Sequence, residues 1–515
     1  MIVAQRNDTA RCWVVLLRFF KSGRPRGVSA KNGISFVSFS LCLFRQRKAA
    51  KRLYLLNIRG KMDRTEAYHK RMTEDSVSKI IISLGIPTTI SMLITNIYNM
   101  ADTYFVGGLG DSAQAATGIL FTLQCIIQAV AFMLGHGAGT YVAKYLAQRN
   151  IDRASTYCTT AFVCGSVMGT LMIVLGLSFL EPFLRFLGST ETILPYAKDY
   201  GMWVLIACPF LICSLVLNNV LRYEGKAFYA MFGLTTGGIL NILGDYFLIE
   251  VFDMGIYGAG LSTAVSQMIS FTLLLILYIK FAQSRLSLRL MAKEFEVYFN
   301  IFKMGLPSLI RQGLTSISNG LLNNLIKPFG DAPIAAMSIV QKYSSFVMCV
   351  GLGIGQGYQP FSSFNYELKQ YDRVKKGTKF LMVFGTFSVG ALATLGFIFA
   401  PSIVEVFQKD PAVIAVGTPA MRYASIGLWF LPISVSCNML YQSIRKAAMA
   451  SFMAIMRSGA VLIPVLLITS ATMGLDGIIM AQPISDAITG IISLPFFIMF
   501  LKKTPSTAEA KGIQG

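Results

Sequence analysis

Apolar stretches of about twenty residues follow one another along this chain, separated by short polar connections. A helix needs about 20 mainly apolar residues to cross the hydrocarbon of a bilayer. Twelve such spans can be drawn, at about 84–106, 113–146, 155–179, 196–221, 227–249, 256–280, 303–327, 333–360, 377–400, 415–442, 448–470 and 475–501. The second and eighth are long enough to extend past the hydrocarbon. The pattern predicts an all-α integral membrane protein with twelve transmembrane helices.

The connections differ in charge. One set reads "KYLAQRNIDR", "RYEGK", "KFAQSRLSLRLMAKEF", "ELKQYDRVKKGTK", "IRK" and a final "KK". The alternate set reads "GGLGDS", "EPFLRFLGSTETILPYAKDY", "EVFDMG", "KPFGDAP", "QKDPAV" and "TMGLDG". The first set is the more basic, and basic connections stay on the cytoplasmic side. Both termini are therefore expected in the cytoplasm.

The chain also repeats itself at an offset of 220 residues. Pro87 matches Pro307, Asn99 matches Asn319, and Gly110-Asp111 matches Gly330-Asp331. Asp152-Arg153 returns as Asp372-Arg373, Asn218 as Asn438 and Lys226 as Lys446. "MGIYGAG" at 254 returns as "MGLDGII" at 473. Each half holds six spans, an even number, so both halves start on one face. Their pseudo-symmetry axis then runs along the membrane normal. The expected organisation is a cytoplasmic lead-in at 62–83, an N-terminal lobe at 84–280, an inter-lobe linker at 281–302, a C-terminal lobe at 303–501 and a cytoplasmic tail at 502–515.

Composition agrees: 54% of residues are hydrophobic and 14% charged, against about 25% charged in a soluble chain. The net charge of +21 is concentrated. Residues 1–61 carry fourteen Lys/Arg against one acid, Asp8. This stretch is irregular, its apolar runs lack a small-residue cleavage site, and it reads as a basic extension. It is either disordered or upstream of the true start at Met62 or Met72; a nucleic-acid-binding arm is the weaker reading. No other feature points to nucleic acid. The nine cysteines form no CxxC pair, which argues against a zinc or disulfide framework. Two histidines, His69 and His136, exclude an HExxH metalloprotease. No P-loop is present, and "GLGIGQG" at 351–357 reads as close helix packing by small residues. No catalytic constellation is found, so the chain reads as a non-enzyme without a cofactor.

Chemistry lies in the polar groups within the spans. Asp102 follows Asn99 by three residues in the first. Asn241 and Asp245, four apart, share one face of the fifth. Thr263 follows in the sixth. Two carboxylates, an amide oxygen and a hydroxyl suit a hard monovalent cation; close, desolvated carboxylates can instead hold a proton. For Asn99 and Thr263 alone, interhelical hydrogen bonding is the plainer reading. For the aspartates, function outweighs glue, because an ionisable residue inside a span costs roughly 2.5–3.5 kcal/mol. Under the repeat, Asp102 falls on Leu322, Asp245 on Val465 and, at an offset of 219 here, Thr263 on Gln482. A residue that merely packs the repeat should recur, and these do not. The C-terminal half offers Gln356, Gln359, Lys342 and Asp486 as substrate-cavity candidates, with Asn99 from the first half. Asp486 either pairs with Lys342 or Arg457 or lines the substrate path. Arg311 is expected to snorkel from the cytoplasmic end of its span, and His136 to pack between helices. The abundant Met and Phe suit a cavity for flat, apolar cations.

Together, "NMADTYFVGGLG", "GAGTYVAKYLAQRNIDRA", "LRYEGK", "LNILGD", "GQGYQPFSSFNYELKQYDRVK" and "QPISD" resemble the multidrug and toxic compound extrusion (MATE) family, in its bacterial MepA-type branch. The resemblance covers about 80–501. It implies a V-shaped pair of six-helix bundles around a central cavity, working as a monomer in the bacterial cytoplasmic membrane. It implies antiport: cationic or amphipathic drugs leave in exchange for Na+ or H+, the choice of ion staying open. It places Asp102, Asn241, Asp245 and Thr263 at the family's cation site. Acids used by other branches in the seventh and tenth spans are missing here. Where many relatives read Leu-Asp-Pro, this chain has Gly244-Asp245-Tyr246, so the fifth helix is expected to run straighter. The rival readings are a flippase or exporter of a lipid-linked or single dedicated metabolite cargo, and a membrane enzyme or receptor. The first would want more basic cavity residues, the second a catalytic constellation or soluble domain.

Overall fold

The computed structural model describes residues 65–512. The basic extension at 1–61 lies outside the described residues, as do the ends of the expected lead-in and tail. All the long helices belong to one compact unit that begins at Tyr68. The first six are α1 (Val77–Gly107), α2 (Asp111–Ala147), α3 (Ile151–Ser178), α4 (Leu194–Tyr223), α5 (Ala227–Asp245) and α6 (Gly255–Phe281). The second six are α7 (Phe295–Ile326), α8 (Asp331–Glu367), α9 (Tyr371–Ile398), α10 (Pro411–Leu428 with Leu431–Ser443), α11 (Ala447–Ile455 with Leu462–Met473) and α12 (Leu475–Lys503).

The twelve are not equally apolar. Among the described residues, ten are long and apolar enough to span individually, and α10 qualifies as a pair of helices bent by 44°. The twelfth, α7, falls short because Arg311, Gln312, Asn319, Asn323 and Asn324 lie along it. Several helices also start earlier than hydropathy predicts: α1 at Val77, α7 at Phe295 and α9 at Tyr371. A helix propagates cheaply once formed, so it runs on past the apolar stretch into the polar boundary. The inter-lobe linker is correspondingly shorter than expected. Glu224 ties it down, accepting hydrogen bonds from the backbone N–H of Gln283 (2.5 Å) and of Ser284 (3.1 Å).

The repeat is visible in local geometry. Asn218 Nδ2 donates to the Ala230 carbonyl at 2.9 Å, and Asn438 Nδ2 to the Ala450 carbonyl at 2.7 Å. Each amide staples the fourth helix of its lobe to the fifth. Left-handed backbone recurs at Gly110 and Gly330, at Arg149 and Lys369, and at Gly225 and Arg445. Short helices at Leu180–Phe186 and Ala400–Phe407 precede the fourth span of each lobe.

The lobes meet through α1 against α8 and α2 against α7. Small residues make this possible. A Cβ on Gly137 would sit 2.0 Å from the Ile301 carbonyl oxygen, and one on Gly305 2.0 Å from that of Met133. A Cβ on Gly357 would sit 2.4 Å from the backbone of Gly85. Polar groups then bridge the seam. Arg222 of α4 donates to Gln356 Oε1 of α8. His136 Nδ1 of α2 bonds Ser308 Oγ of α7 at 2.7 Å, and Ser308 accepts from Gln442 Nε2 at 2.9 Å. The repeat relates His136 to Gln356 and Arg222 to Gln442, so the two bridges are symmetry mates built from different residues.

Candidate functional site

Asp102 lies five residues before the end of α1 and Asp245 closes α5, both far from the basic connections. At 1.5 Å per residue, Asp102 is about 8 Å from its helix end. α5 and α6 approach closely here because residue 244 is glycine; a Cβ there would sit 2.5 Å from Ser262 Oγ. The approach lets the amide of Asn241 reach α6. Its Nδ2 donates to Thr263 Oγ1 at 3.2 Å and to Ser262 Oγ at 3.4 Å, and contacts Asp245 Oδ1 at 3.5 Å. Ser262 Oγ in turn donates to the Asn241 carbonyl at 3.0 Å.

Tyr200 of α4 joins this pair of helices to α1. Its hydroxyl donates to Asp102 Oδ2 at 2.9 Å and also engages Thr263. Asp102 and Asp245 are near enough to feel each other's charge. The structure therefore brings Asp102, Asn241, Asp245 and Thr263 into one cluster. Tyr200 and Ser262 were not legible in the sequence. Tyrosine and serine are too common in spans to signal a partner, and Tyr200 meets Asp102 across 98 residues of chain.

The cluster is under-satisfied. Asp245 is fully buried, Asp102 nearly so. Asp102 Oδ1, Asn241 Oδ1 and Asp245 Oδ2 are buried oxygens without a hydrogen-bond partner. Neither aspartate has an ion pair among the described residues. Buried polar atoms are normally paired, and exceptions call for an explanation. Two neighbouring carboxylates in low dielectric cannot both carry charge without a cation or a proton between them. The donor set is all oxygen, which fits a hard monovalent cation. The fifth helix changes its hydrogen-bond pattern at Asp245. It widens into a π-helical segment, Tyr246–Val251, immediately after Asp245. Such segments frequently mark functional positions.

The remaining candidates lie elsewhere. Asn99 is half-buried on α1, and its carbonyl accepts from Thr103. Gln356 is buried in the bridge to Arg222. Gln359 is fully buried and donates to Gln442 Oε1 at 2.9 Å. Lys342 is exposed. Asp486 pairs with Arg457 at 3.4 Å rather than with Lys342, and accepts from Gln482 at 3.0 Å. Arg311 does not snorkel: α7 starts early, so Arg311 falls halfway along it, facing Arg457 and Arg222.

Twelve helices in two related bundles, with an unpaired acidic cluster buried in one, define a multi-pass membrane transporter. The MatE family model matches residues 87–247 and 307–468, more than half of the chain and once in each lobe, and the chain belongs to that family. It is similar to the multidrug export protein MepA of Staphylococcus saprophyticus subsp. saprophyticus, 23% identical over 444 residues, covering 86% of this chain and 98% of that one. The MepA of Staphylococcus haemolyticus is 26% identical over 440 residues, covering 85% and 96%. Among solved structures, an outward-facing multidrug resistance MATE family transporter superposes with a TM-score of 0.79 at 23% identity, covering 83% of this chain and 97% of that one. A MATE transporter in complex with MaL6 gives 0.79 at 22%, with the same coverage.

Proposed function

We propose that this protein is a secondary active multidrug antiporter. It exports cationic or amphipathic compounds in exchange for Na+ or H+ by alternating access, as a monomer of the bacterial cytoplasmic membrane with both termini inside. The MepA relatives, which are multidrug export proteins over nearly their full length, support the cargo. The observation that carries the coupling is the set of buried, unpartnered oxygens on Asp102, Asn241 and Asp245. A cation or proton entering there offsets one of two carboxylate charges that have no ion pair among the described residues. Thr263 and Tyr200 hold the cage, with Thr263 fixing the Asn241 amide and Tyr200 fixing Asp102. Filling the cage draws α1, α4, α5 and α6 together. α1 also packs on α8 across the lobe seam, so a change in the cage is transmitted to the seam and alters the cargo path.

The test uses full-length protein in liposomes loaded with a fluorescent cationic dye. An inward sodium gradient and an inward proton gradient are imposed separately, for wild type and Asp102→Asn. Dye movement driven by one gradient and lost in the variant is the expected result and names the ion. A correctly folded wild type that moves dye under neither gradient overturns the reading and favours a lipid-linked or dedicated metabolite cargo.

A further inference from the structure

We propose that the cavity between α7, α8, α10 and α11 is an anion subsite, which takes a carboxylate carried by an amphipathic cargo. Two guanidinium groups line it, those of Arg311 and Arg457, together with Ser434, Asn438 and Ser458.

The charges around the cavity do not cancel. Arg457 has Asp486 at 3.4 Å and is 14% exposed. Arg311 has neither an ion pair nor a donated hydrogen bond among the described residues, and its Nε is buried without a partner. Nearby Arg222 and Arg457 both repel it. An unpartnered guanidinium inside a membrane lobe is costly, and its planar fork of donors matches a carboxylate. Neutral donors are at hand: Ser458 Oγ accepts from Thr315 at 3.2 Å and keeps its own proton to give.

The local helix geometry points the same way. Arg457 sits in a π-helical segment, Met456–Ala460, in the middle of α11, and such a widened turn is common where a side chain serves a ligand. The cavity also belongs to this lobe alone. Under the repeat Arg311 corresponds to Ser91, Arg457 to Gly237 and Ser458 to Gly238. The N-terminal lobe therefore has no counterpart to either arginine.

The inference rests on the transport reading only for what delivers the cargo, and binding tests it separately. The probes are rhodamine B, whose carboxyl is free, and its ethyl ester, which keeps the cationic ring system but lacks the carboxylate. Binding of each to detergent-purified full-length protein is followed by fluorescence polarisation, for wild type, Arg311→Gln and Arg311→Lys. Arg311→Gln is expected to weaken rhodamine B by roughly ten- to a hundredfold, the loss of one charge-assisted contact. The ester should stay within about twofold, and Arg311→Lys should recover part of the loss, because it restores the charge without the fork. Equal weakening of both dyes, or of neither, overturns the subsite. If the variants fail to fold, wild type decides: benzoate displaces rhodamine B but not the ester if the subsite exists, and displaces neither, or both alike, if it does not. Gradient-driven movement of the ester in liposomes is read in parallel. Its absence overturns the antiport reading and leaves the binding comparison intact.

Discussion

The two lobes share a backbone plan and differ in the charges they carry at matching positions within their spans. In the N-terminal lobe, Asp102 and Asp245 lie together with no cationic side chain paired to them among the described residues. In the C-terminal lobe, the corresponding positions are Leu322 and Val465, and the charges within the spans are instead the half-buried Arg311 and Arg457 against one buried acid, Asp486. Meanwhile the scaffold residues recur in both lobes with the same geometry, the Asn218 and Asn438 staples being one example. Duplication preserves what packing requires. The charges that packing does not require are free to diverge, and here they diverge into opposite chemistries.

The comparison can be broken most directly at Asp245. Asp245→Asn should reduce ion-driven efflux by roughly a hundredfold, since it removes a charge from the cage. Wild-type-like coupling in the transport assay would mean that the acidic lobe is not the ion-handling one. The reciprocal change in the basic lobe should harm stability rather than coupling. Asp486→Asn leaves Arg457 buried without its carboxylate, and removing one partner of a buried pair costs about 3–5 kcal/mol. A melting temperature several degrees lower, with the ion dependence retained, is the expected outcome; a lost ion dependence would erase the division of labour between lobes.

Smaller changes sharpen the picture. Tyr200→Phe removes the hydroxyl that holds Asp102 Oδ2 and should raise the half-saturating ion concentration by about tenfold, the effect of roughly 1–3 kcal/mol at a buried carboxylate. An unchanged ion titration would show that Tyr200 only packs. At the seam, His136→Ala frees Ser308 from one bond. It should lower stability by about 1 kcal/mol, read as a shift in thermal unfolding. His136→Gln, which makes the position match its repeat mate Gln356, should recover most of that. If it recovers none, the two bridges are not equivalent.

The smallest effect is expected at the linker, where Arg153 meets Glu294 at 2.9 Å on the surface. The guanidinium holds the Glu294 carboxyl below its usual range. A depressed carboxylate contributes stability fully above its ordinary value, about 4.3, and the contribution disappears as pH falls through the lower folded value. Glu294→Gln should therefore lower the melting temperature slightly at about pH 7, and the difference should fade as pH falls through the lowered folded value. Added salt should shrink the difference.

Much of this protein was legible in the sequence because the bilayer restricts what a spanning segment can be. Apolar length alone marks helices, since no other open structure satisfies its backbone in hydrocarbon. The twofold repeat and the two intramembrane aspartates follow from reading residues in register, and the family's motifs lie in the same stretches. Hydropathy was least reliable on α7 and at the helix starts, because it registers side-chain solvation and not where hydrogen-bonded backbone ends.

What the tertiary structure alone decided is which buried polar groups meet. Asp102 finds Tyr200, Asp486 finds Arg457 and His136 finds Ser308, each across a long stretch of chain. Gln356 and Gln359, cavity candidates by composition, meet Arg222 and Gln442 inside the packed helices. Arg311 moves from a helix end to a helix middle and has no ion pair among the described residues. Sequence determines which helices form and which faces carry charge. Partnership depends on how those faces are rotated and brought to within about 3 Å of one another, and that is settled only when the glycine-lined seams and small-residue contacts close.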